Sequence, residues 1–204
     1  LTFKPGESGS SYPGSAYKIL TKYKAESGPL SAGLTIEKDA GEKLFSGSPP
    51  LPDFLSGYVA FSGHGFVRKL IAGDFSARFG QGLSVNTGIH TGIPLTSAGY
   101  TLSRNEIKPY TSTDENNFFR GAATELATGK MKLMMLFSYN NIDATINISD
   151  DSAAFFIENF YRAGLHNSIS LMPKKDAVAE MFYGADLNLN LRSFTFGINW
   201  SETR

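Results

Sequence analysis

Side chains able to do chemistry are present in this 204-residue chain, but they do not gather. His64, His90 and His166 are far apart, no H-x-x-x-H pair exists, and there is no cysteine. Zinc sites need several nitrogen or sulfur ligands at close spacing, so no metal centre is expected. Asp114-Glu115-Asn116-Asn117 and Asp150-Asp151 supply oxygen ligands but lack the twelve-residue calcium-loop pattern. They read as solvated loops that attract adventitious cations. Phe79-Gly80-Gln81-Gly82 suggests a phosphate cradle, yet no Lys-Ser/Thr follows it. A strand-end bulge or a close backbone approach fits better. Serines are many, but none sits in G-x-S-x-G. No catalytic residue and no cofactor is expected, and the chain reads as non-enzymatic.

The remaining charges follow a different logic. Lys18, Lys22, Lys24, Arg68, Asp74, Arg78, Asp186 and Arg192 fall on the polar faces of alternating segments. Asp74 and Arg78 share one face but stand ~13 Å apart along an extended strand. Each is expected to pair across to a neighbouring strand, for example with Arg120 or Asp186. Such a network would rigidify a plugged barrel or, in an open lumen, set ion preference.

The elements that position these charges are strands, because the hydrophobic period is two. Runs start near Tyr17, Leu30, Phe54, Phe66, Phe118, Met131, Met181 and Phe194. Ser27-Gly28-Pro29, Gly63-His64-Gly65, Thr128-Gly129-Lys130 and Arg192-Ser193 turn them in pairs. Between pairs lie long connections near 39–53, 84–117 and 143–178, with residues 1–16 as a further Gly/Ser/Pro-rich loop. Asp150–Tyr161 shows helical spacing and is expected to form a short helix that folds inward or caps the mouth.

Composition is consistent with this pattern. The chain has 21 Gly and 13% aromatic residues, yet only 19% charged residues and zero formal net charge. Zero net charge argues against a general polyanion binder, and no direct nucleic-acid binding is expected. Average hydropathy with alternating faces fits a membrane β-barrel, whose lipid-facing and lumen-facing residues offset one another. The strands reach about the 9–11 residues that a tilted membrane strand needs. Long loops all at one end, short turns at the other, is the outer-membrane arrangement. Phe75, Leu133, Phe137, Leu187, Leu189, Phe196, Ile198 and Trp200 are therefore expected to face lipid. Tyr17, Tyr139, Tyr183 and Trp200 are expected in an aromatic girdle. A soluble barrel or sandwich binding a small apolar ligand is the alternative from another class.

The stretch Ala72-Gly73-Asp74-Phe75 through Phe79-Gly80-Gln81-Gly82-Leu83 is the most specific motif. With Ile107–Glu115, Phe118–Ala122, Gly129-Lys130 and Gly164-Leu165-His166, it resembles a family of large predicted outer-membrane β-barrels. These are proteins of Bacteroidota that carry an N-terminal helix-hairpin-helix domain, and the match covers about residues 17–204. The resemblance implies fold and location more than activity. The family's helix-hairpin-helix domain suggests, by association alone, a role accessory to DNA or protein translocation.

The expectation is thus one all-β unit, 1–204: a transmembrane antiparallel up-and-down barrel of about eight strands in four hairpins. Short turns would be periplasmic and long loops extracellular, in a bacterial outer membrane. Both chain ends fall on the long-loop side, which suggests a middle section of a larger barrel. Its partners would be outer-membrane lipid, lipopolysaccharide, and the remainder of the barrel or other outer-membrane complex subunits. It would serve as conduit, anchor or complex component.

Overall fold

A computed structural model describes residues 14–45, 52–87, 105–148, 155–161 and 171–204. The period-two runs become antiparallel strands. They are β1 (Ile19–Ser27), β2 (Leu30–Lys38), β3 (Phe54–Ser62), β4 (Val67–Phe79), β5 (Val85–Asn86) and β6 (Glu106–Pro109). The chain continues with β7 (Phe119–Thr128), β8 (Met131–Ile142), β9 (Ala144–Ile148), β10 (Phe155–Phe160), β11 (Val178–Asn190) and β12 (Thr195–Thr203). The main sheet runs β1-β2-β3-β4-β7-β8-β11-β12, an up-and-down meander, with β5 and β6 added to β4. Short turns join β1–β2, β3–β4, β7–β8 and β11–β12. The long connections are 39–53, 80–118 and 143–177. Among the described residues β1 pairs only β2 and β12 only β11, so the sheet has two open edges and is not a closed barrel.

Alternation gives the sheet two faces of different character. Leu30, Phe61, Leu70, Thr124, Met135, Ala185 and Trp200 are successive register partners across seven strands. They belong to the outer face, where large apolar side chains stay exposed. The next row, Ser31, Ala60, Ile71, Ala123, Leu136, Gly184 and Ser201, points to the inner face.

The two central strands depart from this plane. β4 pairs β3 only as far as Gly73 opposite Tyr58, and β7 pairs β8 only as far as Gly121 opposite Ser138. Gly73 and Gly121 face each other in the β4–β7 ladder. Neither could carry a side chain. A Cβ at Gly73, where φ is +103°, would lie 2.2 Å from the Gly57 carbonyl oxygen, and one at Gly121 2.3 Å from that of Phe137. Beyond this point β4 takes β6 and β5 as partners instead. Its end lies over the inner face of β11: a Cβ at Gly184 would stand 3.1 Å from the Phe79 ring.

This bend creates the core. Phe75, Phe79, Ile107 and Met134 are fully buried, packed with Ile71, Phe119, Ala123 and Leu136. Phe119 stacks on Phe182 with ring centroids 4.8 Å apart. Each large apolar side chain buried this way stabilises by about 1.5–3 kcal/mol.

Two expectations are corrected here. Phe75 belongs to the inner core, not the outward face. The β4–β7 register shifts between Val67 and Lys69, and one extra residue moves every later side chain to the opposite face. Leu70 and Ala72 therefore point outward, and Asp74 and Arg78, expected to line the lumen, lie on the side of β4 opposite Phe75. The helix expected within Asp150–Tyr161 is instead a strand: Phe155–Phe160 pairs with β9 as a separate hairpin. Its phenylalanines and Ile157 tolerate a pleated strand well, and residues 150–154 lie outside the described part.

Candidate functional site: two faces and an inserted segment

The inner face is covered by the chain itself. Residues 105–117 cross it from β11 to β1, held by the β6 ladder to β4 and by side chains of the main sheet. At one end Asn105 Nδ2 donates to both Asp186 oxygens, at 3.1 and 2.9 Å, and to Asn188 Oδ1 at 3.3 Å. Asn188 Nδ2 in turn donates to Asp186. Lys132 on β8 donates to the Asn105 carbonyl at 2.9 Å. Further along, Lys69 on β4 donates to the Ile107 carbonyl at 2.8 Å. At the far end Lys22 on β1 donates to the Thr111 carbonyl at 2.8 Å. Tyr110 stacks on Phe118 at 4.9 Å, and its hydroxyl donates to the Asp114 carbonyl at 2.5 Å. Burial pushes the Tyr110 phenol up to about 12.

Asp74 sits where β4 parts from β3. The parting deprives Gly57 of a ladder partner, and Asp74 Oδ2 accepts the Gly57 N–H at 3.1 Å. Arg120 neutralises this buried carboxylate, Nε to Oδ1 at 2.8 Å, and also donates to the Leu55 carbonyl. The cross-strand partner expected for Asp74 is thus the one found. Arg78 lies 3.9 Å from Glu106. Asp186, 1% exposed, also accepts the Gly80 N–H at 3.4 Å. Gly80–Gly82 is a short 3-10 turn whose amide groups face protein acceptors: Gln81 N–H donates to Asn105 Oδ1 at 2.8 Å.

The remaining charges expected to face inward divide by position. Lys18, preceding β1, makes ion pairs with Glu37 and Asp39, both at 2.5 Å. Hydrogen bonds to Asp39 and then Glu37 raise its pKa well above the lysine range. Lys24 pairs with Glu26. Arg68 and Arg192 do not line the inner face. Arg68 falls in the β4 irregularity and donates to the His64 carbonyl in the adjoining turn, while Arg192 lies in the β11–β12 turn. Lys38 had no sequence signal: it is 2% exposed, and its ammonium donates to the carbonyls of Ser15, Tyr17 and Asp39. The wall lysines Lys69 and Lys132 were missed too, since their role depends on a segment distant in sequence.

The outer face carries the other expected set. Phe137, Leu187, Leu189, Phe196, Ile198 and Trp200 are all exposed, Ile198 at 75%, and Leu133 shares their face half-buried. Ile198 pairs with Leu187 and Leu187 with Leu133, so these side chains form rows. Tyr139 and Tyr183 lie toward the long-connection end, but Trp200 sits mid-strand opposite Ala185. Where Ala72 and Ala122 pair between Phe61, Leu70, Met135 and Phe137, the surface dips into an apolar groove of about 480 Å³.

Among the described residues no three His, Cys, Asp or Glu side chains come together, and no helix is long and apolar enough to cross a membrane. No protein family matches the chain, and neither a curated protein nor a solved structure does.

Proposed function

We propose that this chain is part of the wall of an outer-membrane β-barrel and serves as an anchor or component of an outer-membrane complex, without enzymatic activity. One observation carries the reading: among the described residues the outer face is apolar, continuous and uncovered, while buried polar groups lie on the inner face. Water would favour the reverse placement, since exposed apolar surface of this extent marks an interaction with lipid or another protein. Hydrocarbon on the outside favours the arrangement found.

Two further features support it. The up-and-down order places short turns at one end and long connections at the other, the outer-membrane pattern. Among the described residues β1 and β12 each lack a neighbour on one edge, and lipid demands that such backbone groups be paired. Further strands of the same barrel, or a neighbouring subunit, would satisfy them. The filled inner face favours anchor or scaffold over open conduit.

The test is partition. The chain refolded with liposomes should float with them and resist extraction at alkaline pH. Recovery in the aqueous fraction as a monodisperse species without detergent would overturn the reading.

A further inference from the structure

We propose that the apolar groove of the outer face binds an acyl chain of an anionic phospholipid whose phosphate pairs with Arg68. This rests on the membrane-wall reading and names a specific lipid partner for that wall.

The strand register builds the groove. One row across the four central strands is Val59, Ala72, Ala122 and Phe137, so two small side chains lie between two large ones. The next row toward the short turns is Phe61, Leu70, Thr124 and Met135. A trough therefore runs along the strands, with side chains of β3 and β8 as its banks. Among the described lining residues Thr124 alone is polar, and its hydroxyl donates to the Lys69 carbonyl at 3.3 Å, so it is satisfied within the sheet. The volume of about 480 Å³ falls in the range of ligand sites, about 300–1,000 Å³. A flexible, unbranched hydrocarbon chain suits an open trough with apolar banks. Within hydrocarbon, however, apolar contact selects no particular lipid. Selection has to come from charge.

Arg68 supplies that charge. The Gly63 N–H donates to the Arg68 carbonyl at 2.9 Å, which extends the β3–β4 ladder one pair past Ser62 and Lys69. Arg68 thus lies on the side of Leu70 and Ala72, about 7 Å beyond Leu70 along the strand. The other outward charges around the groove, Asp74 and Arg120, neutralise each other. Arg68 is exposed, and among the described residues it donates to the His64 carbonyl and pairs with no carboxylate. A guanidinium carries five N–H donors in a planar fork that matches phosphate oxygens. An uncompensated cation at the end of an apolar trough is complementary to an amphiphile with an anionic head and an apolar tail. The turn end of a membrane strand also lies at headgroup level, so the head meets Arg68 when the tail enters the groove.

The test uses the full chain, after flotation with liposomes has confirmed insertion. In mixed micelles of phosphatidylglycerol and phosphatidylcholine, native mass spectrometry should show one retained phosphatidylglycerol in preference to phosphatidylcholine. Arg68→Gln should weaken that retention about fivefold and bring the two lipids level. Lys130→Gln removes an exposed cation from the β7–β8 turn at the same end, and should change nothing. Ala122→Phe fills the trough and should weaken retention of both lipids while insertion persists.

Equal retention of the two lipids by the wild type, or equal losses in Arg68→Gln and Lys130→Gln, overturns the lipid site and leaves the wall reading standing. Unchanged retention by inserted Ala122→Phe overturns it as well, since the acyl chain would then lie elsewhere. A concentration-dependent dimer that retains no lipid overturns it in favour of a contact between copies. Failure of the wild type to float overturns the wall reading and the lipid site with it.

Discussion

Arg120 holds Asp74 with both arms of its guanidinium, Nε on Oδ1 and Nη2 on Oδ2, at the point where β4 parts from β3. The carboxylate is 3% exposed and the guanidinium 45%. Removing the arginine would strand a buried charge, but its own exposure moderates the loss. Arg120→Gln is expected to destabilise the fold by about 1–3 kcal/mol, measured as a lower urea midpoint. Arg120→Lys should recover little, because an ammonium cannot make the two-armed contact. Full rescue by lysine would show that charge alone matters there.

Gly73 and Gly121 make a steric prediction. An added methyl at either would collide with a backbone oxygen at 2.2 or 2.3 Å. Gly73→Ala and Gly121→Ala should each cost about 2–3 kcal/mol or more, through clash and strain. Gly129→Ala is the control. It has φ +53° but nothing within 4 Å, so only the left-handed backbone cost of about 1–2 kcal/mol applies. Equal losses at all three positions would remove the bend from its place as the crowded point of the sheet.

Ile198→Arg discriminates the environments of the outer face. Ile198 is 75% exposed, so in water the change should cost about 0.5 kcal/mol or less. At mid-bilayer it should cost about 2–4 kcal/mol. Folding titrations in liposomes read the difference directly, and a negligible cost there would place this face outside the hydrocarbon. Sequence alone would pair Leu189→Arg with Asn188→Arg as the tolerated inward control. Asn188 is 8% exposed and bonded to Asp186 and Asn105, so that control is expected to be destabilising as well.

Tyr110 gives the inserted segment a pH signature. Its pKa rises from 10.0 in the unfolded chain to about 12 in the fold, chiefly through burial. Its contribution is then complete below pH 10 and lost as pH climbs toward 12. Tyr110→Phe keeps the ring over Phe118 and removes the titrating hydroxyl. The stability difference between wild type and variant should shift against the wild type across that window. Parallel curves would show that the phenol is not buried in the way described.

Most of the sheet was legible in the sequence because alternation encodes it directly. The connection 39–53 coincides with expectation, and the short turns and the other connections differ by one to a few residues. Seven of the eight side chains expected to face outward do so. Phe75 escaped because a one-residue irregularity near Arg68 inverts the pattern without changing composition. The inserted segment escaped for another reason. Its partners, Lys22 with Thr111 and Asn105 with Asp186, are 89 and 81 residues apart, and no local period records such pairing.

Those same separations set the entropic cost of covering the inner face. Each hairpin of the main sheet joins neighbours in sequence and can form early, because closing a short loop costs little entropy. The Asn105–Asp186 contact spans 81 residues and so carries a larger closure cost than any of the hairpin turns. Covering the inner face is therefore a part of the fold with a high closure cost, offset by the burial of Ile107 and Tyr110 and by the hydrogen bonds of Asn105 to Asp186.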